Sequence, residues 1–342
     1  VPGVEVWKAS VHVAGTAAAA GERAEREGFF GLSFGDTQHL AADPYIGLCI
    51  AARATTHLQL AVGVTNPITR HPAVTANAIA TVQVESDGRA VLGIGRGDSS
   101  LGHLGQPPAR VEVLARYLED LQRFLGTGAI PWIGLGSHAK VPVDVAASGP
   151  AVITLGARSA ERVSVNVGAV PERVAWAIET AALAVHPGAP SPSLGAYLVV
   201  ACHPDRRTAR HLARGPLAPY AHFAGMPGSP KACMTEADRV VVERLTADYD
   251  LDRHGRADAR HVAHLADAFV DRFAVVGPPE HCVARLRELI GLGLDRLILV
   301  EGRDPSRVRD EETAHRCLVD EVLPALVTPT AGERPCRSAA SG

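Results

Sequence analysis

The chain has 342 residues, 46% of them apolar, with a formal net charge of −3 and six scattered cysteines. That apolar supply fills a large core, while the charge gives no electrostatic footprint for nucleic acid or an acidic membrane surface. No apolar run reaches the ~20 residues that span a bilayer; "VPGVEVWKAS" lacks a signal-peptide pattern, and without a CxxC pair the cysteines read as reduced thiols of a cytoplasmic protein.

Short β-branched runs alternate with Ala-rich stretches of helical spacing. "VEVW" (4–7) predicts a first strand, and "TAAAAGERAEREG" (16–28) a helix ending at Gly28, a residue type suited to the position after a helix C-terminus. A second strand (31–36) precedes a helix over 43–56, with Asp43 as N-cap and Pro44 in its first turn. "LQLAVGV" (58–64) is a third strand, and Pro72 opens a helix with Val74, Ala78 and Val82 on one face. "RAVLGIG" (89–95) is a fourth strand, with a helix over 107–125. Strands follow at 141–148, 162–168, 194–202 and 294–302, with helices from Pro171, from about 204, over 278–293 and over 310–326. An irregular insertion occupies 225–270, and a Pro-, Ser- and Gly-rich tail, 328–342, is expected to be flexible.

Eight strands, each followed by a helix, predict an α/β fold: a closed parallel (β/α)8 TIM barrel with insertions, one domain over 1–327. Runs such as "LQLAV" and "LILV" are what strands buried on both faces look like. The rival, an open doubly wound sheet with a second domain, calls for a linker-like composition shift, and none divides the chain. In a barrel the site lies where strands end and βα loops begin.

The fourth strand ends in "VLGIGRGDSSLG" (91–102). Gly93 and Gly95 begin a dinucleotide fingerprint, but Asp98 stands where its third glycine belongs. The better reading is a strand end where Gly95 and Gly97 let a flat ligand approach the backbone, with Asp98 beside it. The third strand end, "VGVTNPITRHP" (62–72), is polar and held between two prolines. The second, "FGDTQHLAADP", offers Asp36, Thr37 and His39 for substrate binding or proton relay, or as loop residues only. "AASGP" (146–150) and "NVGAVPE" (166–172) each set a glycine beside a helix start, an arrangement that favours an anion; two such ends on adjacent strands suit one phosphate. In the insertion His254, His261 and His264 lack a convincing completing ligand, so no metal is expected and the stretch reads as an exposed helix and loop.

The segment "GVTNPITRHPAVTANAIATVQVESDGRAVLGIGRGDSSLG" resembles the third-to-fourth-strand region of the luciferase-like monooxygenase superfamily, and its deazaflavin branch in particular. "VPVDVAASGP", "RVSVNVGAVPERVAWAIE" and "FAVVGPPEHCVARLRELIGLGLDRLIL" extend the likeness over about 1–325. The resemblance implies a barrel whose mouth binds coenzyme F420, or alternatively FMN, and a bulge with a non-prolyl cis peptide near Gly63–Val64 that supports the ring. It implies that Asp36, Val64, Thr65 and Gly97 line the ring, with Gly63 and Gly95 beside it, and that Ser148, Gly149, Val167 and Gly168 hold the phosphate. Asp98 would be the proton-handling or ring-positioning acid, and Thr37 or His39 would lie nearest a small-molecule substrate. A homodimer is the implied assembly. Two departures count against sugar-phosphate chemistry: that branch has His where Thr37 stands and Glu where Asp98 stands, and "GIGRGD" is nearer the "GIGPGD" of methylenetetrahydromethanopterin reductases. The implied activity is hydride transfer between F420 and a small organic substrate. The alternatives are a reduced-FMN monooxygenase and a non-catalytic flavin-binding protein or partner subunit.

Overall fold

The computed structural model describes residues 3–126, 134–225 and 233–327. The tail expected to be flexible, 328–342, and part of the insertion lie outside them. The elements begin β1 (Glu5–Ser10), α1 (Ala17–Arg26), β2 (Gly31–Phe34), α2 (Pro44–Ala54), β3 (Gln59–Thr65), α3 (Pro72–Glu85) and β4 (Ala90–Ile94). Next come α4 (Asp98–Gly102), α5 (Val111–Leu125), β5 (Val143–Ala147), α6 (Pro150–Ser159), β6 (Arg162–Val165), α7 (Pro171–Ala184) and β7 (Ser193–Cys202). The chain continues through α8 (Arg206–Gly225), α9 (Glu236–Ala247), α10 (Asp267–Phe273), β8 (Val275–Gly277), α11 (Pro279–Gly291), β9 (Arg296–Glu301) and α12 (Val308–Cys317).

All strand pairings are parallel. Strands β1 to β7 pair in sequence, and β9 joins β7 back to β1, closing a barrel of eight strands as expected. The ninth strand, β8, was not anticipated from the sequence. It is three residues long, too short for a periodicity signal, and pairs with Val200–Cys202, beyond the part of β7 that pairs with β6.

Local chemistry sets the helix starts. The Asp43 carboxylate accepts from the Tyr45 and Ile46 amides, and Pro44 follows it. Helix α3 corrects the expected face: Val74 is exposed, and the buried side carries Thr75, Ala76, Ile79, Ala80, Val82 and Gln83. Because α3 packs against both α2 and α5, it buries more than a single fourfold stripe.

The insertion is more ordered than expected. Its apolar residues, among them Val242, Leu245, Leu265 and Phe269, form a core cluster with Leu212 and Leu217 of α8. His261 is fully buried, which corrects the reading of this stretch as exposed. Low in the barrel, the buried Arg296 donates to Ser193, Ser164 and Asp144. Above that polar layer Trp7, Ala61, Val91 and Ile298 fill the interior.

Candidate active site

A cavity of about 520 Å³ opens at the C-terminal strand ends, where a barrel of this type carries its site. One wall is β3. Its pairing with β4 shifts register between Val62 and Thr65, and the Gly63–Val64 peptide is cis, as the resemblance implied. This bulge explains the glycines of β4. A Cβ on Gly93 would sit 2.2 Å from the Val62 carbonyl oxygen, and one on Gly95 would sit 3.2 Å from Val64 Cγ2. Gly97 has φ of +78°, and a Cβ there would lie 2.5 Å from Asn66 Cβ, so both conformation and space require glycine. Gly63, Val64, Gly95 and Gly97 all line the cavity.

Asn66 is fully buried and holds the third loop together. Its Oδ1 accepts from the Ile68 and Thr69 amides, and its Nδ2 donates to Ser100 Oγ. Asp36 and Thr65 sit behind the wall: Asp36 is 2% exposed and accepts from Thr65 Oγ1 at 2.7 Å. Burial holds the Asp36 carboxyl above the ordinary carboxylate range, against the Thr65 hydrogen bond and the Arg70 charge. Arg70 bridges Asp36 and Asp43 and lies over the Tyr45 ring. The two residues thus brace the wall, whereas the resemblance had placed them along a ring.

Asp98 opens α4 and lines the cavity. Burial raises its pKa, and the charges of His222 and Arg96 work in the other direction. His222 Nε2 is 3.7 Å from Asp98 Oδ2. Burial lowers the pKa of His222, and Asp98 opposes that shift. Its ring stacks on Tyr249, which stacks in turn on His261. Tyr249 Oη meets His254 Nδ1 at 2.7 Å, and His254 Nε2 reaches Ser99 Oγ at 3.3 Å. Burial, with His103, His222 and His261 nearby, pushes the His254 pKa down to about 4. The insertion is thereby anchored to the helix that carries Asp98. Among the described residues no group of three His, Cys, Asp or Glu is arranged to hold a metal ion.

Thr37 lines the cavity; His39 is exposed, is not on the cavity wall, and has its ring 6.0 Å from that of His103. Ser148 and Gly149 line it at the start of α6. Pro150 has no N–H, so the first unpaired helix donors are those of Ala151 and Val152, both also on the wall. Val167 and Gly168 depart from expectation, for neither lines the cavity. A Cβ on Gly168 would sit 2.7 Å from Phe273, and the Ala169 amide donates to the Phe273 carbonyl, so α10 covers this strand end. Asn166 is its residue on the wall. Sequence reasoning also missed Tyr197, Tyr220, Phe223 and His254, which line the cavity from β7, α8 and the insertion.

A family model described as luciferase-like monooxygenase matches residues 8–296. The chain belongs to this family. As a luciferase-like monooxygenase family member it is an enzyme. It is 26% identical to a 5,10-methylenetetrahydromethanopterin reductase of Methanolobus tindarius, over 80% of this chain and 86% of that one. It is also 26% identical to an F420-dependent glucose-6-phosphate dehydrogenase of Microbacterium testaceum, over 83% of this chain and 82% of the relative. In structure it is similar to the F420-dependent tetrahydromethanopterin reductase of Methanopyrus kandleri, with a TM-score of 0.75, 21% identity, and coverage of 95% of this chain and 100% of the other. Among the described residues no helix of this luciferase-like chain is long and apolar enough to cross a membrane.

Proposed function

We propose that the chain transfers a hydride between coenzyme F420 and a small organic substrate. The observation that carries the reading is that one cavity combines a wall cleared of side chains at Gly63, Gly95 and Gly97 with the N-terminus of α6. A flat ring needs the first and a phosphate the second, so the residues present fit such a cofactor. A relative named as an F420-dependent glucose-6-phosphate dehydrogenase and a similar structure titled as a coenzyme F420-dependent tetrahydromethanopterin reductase support the deazaflavin.

In this reading the Gly63–Val64 bulge backs the ring, and the Ala151 and Val152 amides with Ser148 and Gly149 hold the phosphate. The deazaflavin, when bound, supplies hydride chemistry at C5. Asp98, held above the ordinary carboxylate range by burial, takes or gives the proton that accompanies the hydride, at a carboxylate oxygen facing the cavity. Thr37, rather than the exposed His39, lies on the substrate side.

The family model supports a second reading, a reduced-FMN monooxygenase. Oxygen uptake separates the two. Turnover of F420 at the same rate with and without oxygen supports the first; oxygen consumed in proportion to product with reduced FMN overturns it.

A further inference from the structure

Three polar groups on the cavity wall stand outside the cofactor features. Asn166 follows the last residue of β6, and Val165 pairs with Ala196, so Asn166 is level with Tyr197 on the neighbouring strand. Asn166 lies two residues beyond the inward-facing Ser164, and Tyr197 two beyond Gly195, which packs on Arg296. Both are on the cavity wall. Asn166 Oδ1 is buried without a hydrogen-bond partner among the described residues. The Tyr197 hydroxyl faces the β3 bulge, 3.4 Å from the position of a Cβ on Gly63. Tyr220 lines the same cavity from α8.

Buried polar groups of this kind are normally paired, and an unpaired one is costly. Asn166 is such a case, and it lines an open volume together with the two phenols, which implies that a ligand completes it. Two phenols and an amide carry no charge, and they offer two O–H donors beside an acceptor that needs a donor. A hydroxyl completes that set, accepting from the phenols and donating its own proton to Asn166 Oδ1, which a carbonyl or carboxylate oxygen cannot do. Arg96, a cation on this wall, donates its Nε to the Ala109 carbonyl and lies near Asp98. Phe223, Pro108 and Val111 offer apolar surface on the same wall.

We propose that Tyr197, Tyr220 and Asn166 form the subsite that receives an uncharged hydroxyl group of the substrate, with the apolar body of that substrate against Phe223, Pro108 and Val111. The proposal rests on the reading of this cavity as the site of a small organic substrate. It makes the preferred substrate a neutral alcohol rather than a sugar phosphate or an organic acid.

The test titrates wild type, Tyr197→Phe, Tyr220→Phe and Asn166→Leu with cyclohexanol and with cyclohexanecarboxylate, reading tyrosine ultraviolet difference absorption and ligand-detected NMR. F420 affinity is measured on the same four proteins by fluorescence, and circular dichroism checks folding. Cyclohexanol is expected to perturb tyrosine absorption in wild type and to bind more tightly than the carboxylate. Each substitution should weaken it about fivefold, the value of one hydrogen bond, and leave F420 affinity within about twofold. Absence of cyclohexanol binding, a preference for the carboxylate, or unchanged affinity in the folded variants would overturn the proposal. Loss of F420 affinity in the tyrosine variants would also overturn it, by assigning these groups to the cofactor. Failure of wild type to bind F420 would instead refute the deazaflavin reading, and the cyclohexanol titration would still judge the subsite.

Discussion

Gly97→Ala isolates how much of the site depends on the close approach of β4 to the third loop. The substitution has two separable costs. Gly97 has φ of +78°, a left-handed conformation that costs a non-glycine residue about 1–2 kcal/mol. The new Cβ would also stand 2.5 Å from Asn66 Cβ and 3.0 Å from Asn66 Cγ. Asn66 cannot easily retreat, because its amide holds the Ile68 and Thr69 N–H groups and Ser100. Overpacking of that kind costs a further ~1–3 kcal/mol, giving about 2–5 kcal/mol in total. Gly28→Ala is the matched control: Gly28 has φ of +83° with nothing within 4 Å of its ideal Cβ, so it carries the conformational cost alone. Urea unfolding of both variants, followed by circular dichroism, should show Gly97→Ala less stable than Gly28→Ala by about 1–3 kcal/mol. Equal losses would refute the argument that the wall is braced by contact between Gly97 and Asn66.

Further expectations concern protonation and packing. Asp98→Asn should abolish most turnover while leaving F420 affinity within about twofold, and full turnover in stopped-flow assays would remove Asp98 from the mechanism. His222 lowers the pKa of Asp98, so His222→Gln should move the acid limb of kcat/KM to higher pH; an unmoved limb would show that the pair is not coupled in solution. Glu301 accepts from His315 and pairs with Lys8, and His315 also meets Glu27. Burial raises the Glu301 pKa, but the contacts of His315 and Lys8 outweigh it and hold the carboxyl at about 2. The contribution of Glu301 is therefore full above its ordinary 4.5 and is lost as pH falls toward about 2. The His315 pKa is raised, chiefly by the Glu301 hydrogen bond, so its contribution is full below its ordinary 6.5 and fades as pH rises through the raised value. Urea midpoints across pH should show both limbs in wild type, and in His315→Phe no basic limb and a smaller acid limb, the part that Lys8 maintains. Arg89 donates to Ser86, Leu58, Ala52 and twice to Thr55, tying the end of α2 to the start of β4; Arg89→Met should cost about 2–4 kcal/mol on thermal unfolding.

The sequence disclosed the barrel because its strands are apolar-rich runs of four or more residues and its helices start on readable signals, such as Asp43 before Pro44. It disclosed the glycine wall because close neighbours and backbone force those residues: Gly93 meets the Val62 carbonyl, and Gly97 has a positive φ and meets the Asn66 side chain. Asp36 and Thr65 carried a signal of polarity at a strand end, yet they satisfy each other behind the wall. Ser148 and Gly149 line the cavity, but Val167 and Gly168 do not, because Phe273, more than 100 residues later, packs over that strand end. Tyr220, Phe223 and His254 reach the cavity only through the tertiary folding of α8 and the insertion. Nothing in local periodicity marks them.

The central claim is that the cavity binds a deazaflavin through its glycine wall and the α6 N-terminus. Fluorescence titration of wild type and Gly95→Val with F420 and with FMN, each oxidised and reduced, tests it most directly. The account predicts micromolar F420 binding, much weaker FMN binding, and loss of F420 in Gly95→Val, where the side chain would meet Val64. Tighter FMN than F420 binding, or F420 affinity unchanged in Gly95→Val, would contradict it.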